Sequence, residues 1–354
     1  MHVDAKTIEK YLTSSDENTR AEWALRMDFT PTAEHVAIGL ADVDSDIRSL
    51  WAERMDWTPT PEQIEKGLTD EHSKVRTAWA KRYDFTPTPL QIKRGLSDYN
   101  YSVRKAWAER MDFTPNSEQI ERGLTDKEWD VCKIWIKRMD FKPTSEQVER
   151  GLTSENDFIR SVWPERMDFT PTPEQVERGL VDDSNEVRLA WSQRKDFIPA
   201  PEQVERGLTD AFLWVKLAWS ERTDYEPTPE QIERGLNDES FMVREAWAER
   251  MDWTPTPEQI ERGLTDYDWT VRRAWVGRMD YTPTFEQVER GLQDKEVDVV
   301  LAWLKRTDIK WTKAQIEQGL QQSHEKIRTA WEKILQLRNE LSIETSDSEC
   351  TLNL

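Results

Sequence analysis

Residues 247–274, WAERMDWTPTPEQIERGLTDYDWTVRRA, hold the plan of the whole chain once. Two helices are legible in them. Val271, Ala274, Trp275 and Arg278 follow at the three- and four-residue steps of one helical face, and Asp266 stands where an N-cap is expected. This longer helix crosses into the next copy. After the turn MDWTP, Thr256 offers a capping oxygen, Pro257 suits the first helical position and Gln259 completes a capping box, so a second, short helix begins at PEQIERGL.

The stretch repeats along the chain. A Trp recurs every 28 residues from Trp23 to Trp331 without an insertion. A constant period means that every copy meets its neighbours in one way, which is the signature of a solenoid. The expected fold is therefore all-α: a right-handed superhelical solenoid of helix-pair repeats, with about eleven units over residues 23–337. An N-terminal capping half unit, 1–22, precedes it, and a flexible acidic tail, 338–354, follows. Each unit buries its Trp, its Leu and an aromatic turn residue such as Trp57 or Phe85 against adjacent units only, so an isolated unit should not fold, and no single deep pocket is expected.

Of the 12 Gly, 11 occupy one slot, from Gly39 to Gly319. Two backbone reasons fit: a helix end with positive φ, or an approach of the neighbouring Trp too close for a Cβ. The sequence leaves both open.

Composition narrows the function. Hydrophobic residues are 36% and charged residues 33%, yet 18 Trp are far too many for a disordered chain. The formal net charge of −20 disfavours direct contact with nucleic acid or an anionic membrane and favours basic partners. No stretch is long and apolar enough to span a bilayer, and MHVDAKTIEKYL lacks the regions of a signal peptide, so a cytoplasmic protein is expected. With only Cys132 and Cys350, a disulfide framework or cysteine-rich metal site is excluded. His2, His35, His72 and His324 sit in separate units without a second ligand at helical spacing, there is no Gly-rich phosphate loop, and the carboxylates recur as capping and surface residues. No catalytic set, metal or cofactor is expected.

The pattern Leu68, Asp70, Val75, Arg76, Ala78, Trp79 resembles the turn-and-helix signature of HEAT-like repeats, over roughly residues 6–337. The unit is shorter than a typical HEAT repeat, and Trp replaces a small or aliphatic residue, so armadillo-like and leucine-rich-variant stacking stay open as alternatives. The resemblance implies a ladder in which Asp and the Arg six residues later, such as Asp70 and Arg76, pair with neighbouring units. Its Arg side is absent at Cys132, Lys216 and Val300, its Asp side at Ser154 and Gln322, and local loosening is expected there. A second pair, such as Arg54 with Asp56, occurs in all eleven units and reads as structural.

The four residues after the Asp vary most, and many are aromatic. With Val271, Ala274 and Trp275 facing inward, the two residues before the Val turn outward or sideways. The candidate contact residues are Tyr99, Tyr101, Trp129, Phe158, Phe212, Leu213, Trp214, Phe241, Met242, Tyr267 and Trp269. They are either side chains folded onto the next unit or a ridge of anchors for a partner. Segments 98–112 and 266–280 resemble each other, as do 126–138 and 294–306, each pair being 168 residues apart, which points to a duplicated block of six units and two related contact surfaces.

The reading that follows is a non-enzymatic repeat protein that holds a protein partner with a basic or mixed-charge patch through the aromatic ridge and the acidic surface. An acidic nucleic-acid mimic that inhibits a DNA- or RNA-binding protein is the alternative. Some HEAT-like solenoids are DNA-repair glycosylases, but the basic groove such enzymes need is at odds with this charge.

Overall fold

The computed structural model describes residues 5–350, and side chains through 338. Among the described residues there are twenty-four α-helices, one 3-10 segment and no strand. Short helices such as Pro61–Leu68 and Pro257–Leu264 alternate with long ones such as Ser45–Glu53 and Trp269–Gly277, which differ from them by a residue at most. The chain is an all-α array of helix pairs with the 28-residue period. It forms two compact halves, 1–175 and 176–354.

The helices begin where the sequence supplies a cap. At Thr256 the backbone N–H donates to Gln259 Oε1 (2.8 Å), while the Gln259 N–H donates to Thr256 Oγ1 (3.3 Å), and Pro257 fills the first position. The long helix differs from expectation. Its N-cap is Asp268, which accepts from Thr270 N–H at 2.9 Å, and not Asp266. Asp266 lies one step earlier: it accepts the Asp268 N–H at 2.8 Å and spends its carboxylate on Arg244 of the preceding repeat.

The Trp of the 28-residue period are fully buried from Trp51 to Trp303. The glycine slot exists for them. No glycine has positive φ, and a Cβ built on Gly67 would overlap the indole of Trp79. Close approach, not helix termination, fixes the residue. Trp163 is followed by Pro164, which cannot donate to the helix, and there the long helix shortens to Asp157–Val162 with a 3-10 turn, Trp163–Glu165.

Within each half, two sets of arginines bind one repeat to the next. Arg54 holds Asp56 through Nε (3.0 Å), and its Nη1 reaches back to donate to Ala24 O (3.0 Å) in the last turn of Glu17–Leu25. That carbonyl lacks an intrahelical donor, so the guanidinium acts as a C-cap supplied by the following repeat. Arg82, Arg110, Arg138 and Arg166 do the same in the first half, and Arg222, Arg250, Arg278 and Arg306 in the second.

The second set forms the ladder that the resemblance implies. Arg76 clasps Asp98, 22 residues on, through Nε and Nη2 (2.7 and 2.8 Å), while Nη1 donates to Asp70 O (2.8 Å). The five departures from it are three. Lys216 still pairs with Asp238 at 2.7 Å. Ser154 lies across the groove from Cys132, and Gln322 from Val300, so each missing arginine is matched by its own missing aspartate. Removing one partner of a buried pair costs about 3–5 kcal/mol, whereas removing both leaves no stranded charge.

At the N-terminus, Ala5–Leu12 covers the first repeat with Ile8 and Leu12, and Tyr11 stacks on Trp23 at 4.6 Å. Residues 1–4 of the expected capping half unit lie outside the described residues. The last helix runs Glu325–Cys350, through most of the segment read as a tail, and 351–354 lie outside the described residues.

Candidate interaction surface

The aromatic slots sit at the starts of the long helices, following an Asp of the ladder except at Phe158, where Ser154 takes that place. Of the eleven candidates, Tyr99, Tyr101, Trp129, Phe158, Trp214 and Tyr267 are exposed, and Phe212, Leu213, Phe241, Met242 and Trp269 are half-buried. Their surroundings differ. In the first half, Trp129 opens Trp129–Lys137 and Phe158 is the second residue of Asp157–Val162 in the next repeat; the two stack at 5.2 Å with planes 24° apart, while remaining 37% and 53% exposed, and Lys133 Nζ lies 5.7 Å from the Trp129 ring. Adjacent repeats thus place two large rings side by side at the surface.

Tyr99 and Tyr267 already have work within the fold. Each covers a ladder guanidinium, Arg76 at 4.7 Å and Arg244 at 4.5 Å, and directs its hydroxyl at a carbonyl one repeat earlier, Glu71 O and Glu239 O. These two occupy equivalent places in the two resembling segments, and their environments match as well as their sequences.

A second apolar column escaped the sequence reading. Met27, Met55, Tyr83, Met111, Met139 and Met167 are all exposed in the first half, one in each successive repeat, as are Met251 and Met279 in the second. The signal was present: a Met directly after the buried arginine, at the 28-residue period, in a turn where packing does not demand it.

The concave features are grooves between repeats. Three in the first half measure about 200, 320 and 290 Å³, at Trp79, Trp163 and Arg104. Cys132 lies in the second of these, donating to Asp126 O at 2.9 Å, and burial pushes its thiol up to about 11. It is a packed side chain, not a nucleophile poised to react. His35 is likewise engaged, its Nδ1 accepting from Thr32 N–H in a capping box. Among the described residues no group of three or more His, Cys, Asp or Glu is placed to hold a metal, and no helix is long and apolar enough to cross a membrane.

Across the short helices runs a third set of links. Glu121 accepts from Gln147 Nε2 (3.0 Å) and from the Arg150 guanidinium (2.8 Å) of the next repeat, and Glu65 from Gln91 and Arg94. The Arg150 and Gln147 donors hold the Glu121 carboxyl below the usual carboxylate range; for Glu65 the Gln91 amide leads, with Arg94 second. Sequence reading placed these glutamates on a plain helix surface.

Helix pairs, an Arg–Asp ladder stepping 22 residues between repeats and a constant turn chemistry now stand together. A family model described as a HEAT repeat associated with sister chromatid cohesion matches residues 230–246. The chain is thus an array of helix-pair repeats that is similar to HEAT repeats. Among solved structures, a leucine-rich repeat variant with a novel repetitive protein structural motif is similar at 18% identity and a TM-score of 0.46, over 67% of this chain and 87% of that one. No curated protein matches the sequence. The matched HEAT segment contains Gly235 and Arg244, the residues that in this chain seat Trp247 and pair with Asp266.

Proposed function

We propose that this HEAT-like protein is a non-enzymatic binding surface in the cytoplasm, holding a protein partner with a basic or mixed-charge patch through its aromatic slots and acidic exterior. The stacked, solvent-facing pair Trp129 and Phe158 carries the reading. Two adjacent large rings with their edges in water match the aromatic anchors that dominate interface energetics, and the packing of the repeats does not consume them. The net charge of −20 sets the sign of the surrounding field and speeds encounter with a basic patch. The acidic-mimic alternative draws less support, because the regular glutamates of the short helices are tied to Gln and Arg of the next repeat and do not stand free as a row of phosphate-like charges.

The test is affinity capture with the wild-type chain and with Trp129→Ala/Phe158→Ala, read by quantitative mass spectrometry. A partner retained by wild type in high salt and lost from the double variant is the expected result. Equal retention by both, or a catch that DNA displaces and salt removes, refutes it.

A further inference from the structure

The Glu–Gln/Arg links of the short helices occupy a regular column, and its two gaps are informative. Glutamate fills the acceptor position at 65, 121, 149, 177, 205, 233, 261 and 289, and in each case a Gln Nε2 from the next repeat donates to it, at 2.6 to 3.1 Å. At position 37 the residue is Ala, and at 93 it is Lys.

The donors that would face those two positions are still in place. Gln63 and Lys66 stand opposite Ala37, and Gln119 and Arg122 opposite Lys93. Gln63 and Gln119 use their Oε1 atoms in capping boxes, as the Gln of the other repeats do. Among the described residues their Nε2 groups have no acceptor, and Lys66 and Lys93 have no ion partner. Arg122 finds only Glu118 of its own helix, at 3.5 Å and well exposed, a geometry that contributes little.

Both gaps are open. At Ala37 lies a groove of about 200 Å³ whose polar lining is Arg48, Glu62, Gln63, Lys66 and Asp70, with Arg48 and Asp70 already paired to each other. Beside Lys93, Ile120 is half-buried where its counterparts Ile64, Ile92 and Val148 are buried. The helix Pro89–Leu96 has also exchanged the usual first-turn Glu for Leu90, which is 65% exposed and shares a helical face with Lys93. In a chain of net charge −20, PLQIKRGL has no carboxylate at all.

We infer that the gaps at Ala37 and Lys93 form a two-point docking site for an acidic segment of a partner protein, whose Glu or Asp side chains take the acceptor positions that Glu fills elsewhere, with an apolar residue against Leu90. The geometry of the occupied rungs says what fits: one carboxylate receiving an amide N–H and a cation, the arrangement Gln147 and Arg150 make with Glu121. The gaps lie two repeats apart. With about 8–10 Å per helix layer that is about 20 Å, the reach of about six extended residues. This site lies on the short helices and does not depend on the aromatic slots.

The test uses the full chain and a fluorescein-labelled oligoglutamate about eight residues long with one central Leu, followed by anisotropy at low salt. Lys93→Glu and Ala37→Glu fill the gaps with internal carboxylates, so these variants stay folded, with a melting temperature at or above that of wild type. Lys93→Glu removes a charge-assisted contact and should weaken the peptide about tenfold or more. Lys313→Glu, in the other half, changes net charge equally and should leave binding as it is. Loss of affinity equal in Lys313→Glu and Lys93→Glu, or no loss in Lys93→Glu, overturns the site. Displacement of the peptide by inorganic phosphate at matched charge concentration overturns the carboxylate assignment.

Discussion

The paired breaks in the Arg–Asp ladder can be repaired, and the repair is a quantitative test of how repeats are joined. Cys132→Arg places a guanidinium where Arg104 shows what it would do. Two donors would go to the carbonyls five and six residues back, as Arg104 Nη1 does to Tyr99 O and Asp98 O, and two to the position that Asp126 fills in the neighbouring rung. Ser154 stands there now, with its hydroxyl accepting from Asn156 N–H at 3.2 Å, and the groove of about 320 Å³ has room for the longer side chain. Cys132→Arg alone leaves half of a desolvated cation without its anion, and Ser154→Asp alone leaves a carboxylate with one backbone donor. Each single variant should destabilise by about 1–3 kcal/mol. The double variant regains two charge-assisted bonds, giving a coupling energy of about 1–3 kcal/mol. Urea titration followed by Trp fluorescence supplies the four free energies, and hydrogen exchange over residues 117–163 locates the change. A coupling energy below about 0.5 kcal/mol, the scatter of independent sites, would refute the claim that positions 132 and 154 form one rung.

Other consequences are simpler. Gly67→Ala should destabilise by about 1–3 kcal/mol through overlap with Trp79, while Gly277→Ala, with open space around its Cβ, should stabilise by about 0.5–1 kcal/mol; thermal melts in which both shift alike would sink the packing argument. For Asp70, Asp210 and Asp294, burial works to raise the carboxyl, but Arg48, Arg188 and Arg272 with backbone N–H donors hold each below the ordinary value. Groups depressed on folding contribute stability that is complete above the unfolded carboxylate range and lost as pH falls through the folded values, so melting temperature should be flat near neutrality and drop below about pH 4. A transition near pH 6 in circular dichroism would contradict this. In a Cys350→Ser background, Cys132 should resist thiol reagents at pH 8 until urea unfolds the chain; immediate stoichiometric labelling would show that its burial is wrong.

Much of the fold was legible because a repeat compares itself with itself. The constant Trp and Gly positions showed what packing demands, although only the structure could show that Gly67 yields to the Trp79 ring and does not end a helix. The N-cap at Asp268 was missed for a physical reason: Asp266 and Asp268 are both good capping residues, and the choice between them is made by Arg244, one repeat away. The glutamate links were invisible for the same cause, since a Glu on an exposed helix face looks the same whether or not Gln and Arg from the next copy reach it. The Met column was hidden by its own regularity. In the aromatic slots, sequence placed the residues but not their employment: Tyr99 and Tyr267 cover guanidinium groups, whereas Trp129 and Phe158 lean on each other.

The 22-residue step of the ladder also governs how this protein can be shortened. Each rung is shared by two repeats, so a 28-residue deletion rewires one rung and leaves the rest alone. Excising residues 77–104 brings Arg76 opposite Asp126 and restores a matched pair. Excising 105–132 instead sets Arg104 opposite Ser154 and strands a cation. Repeats of equal length and nearly equal sequence are therefore not interchangeable parts, and the sites where an array of this kind can gain or lose a copy are set by who holds the other end of the rung.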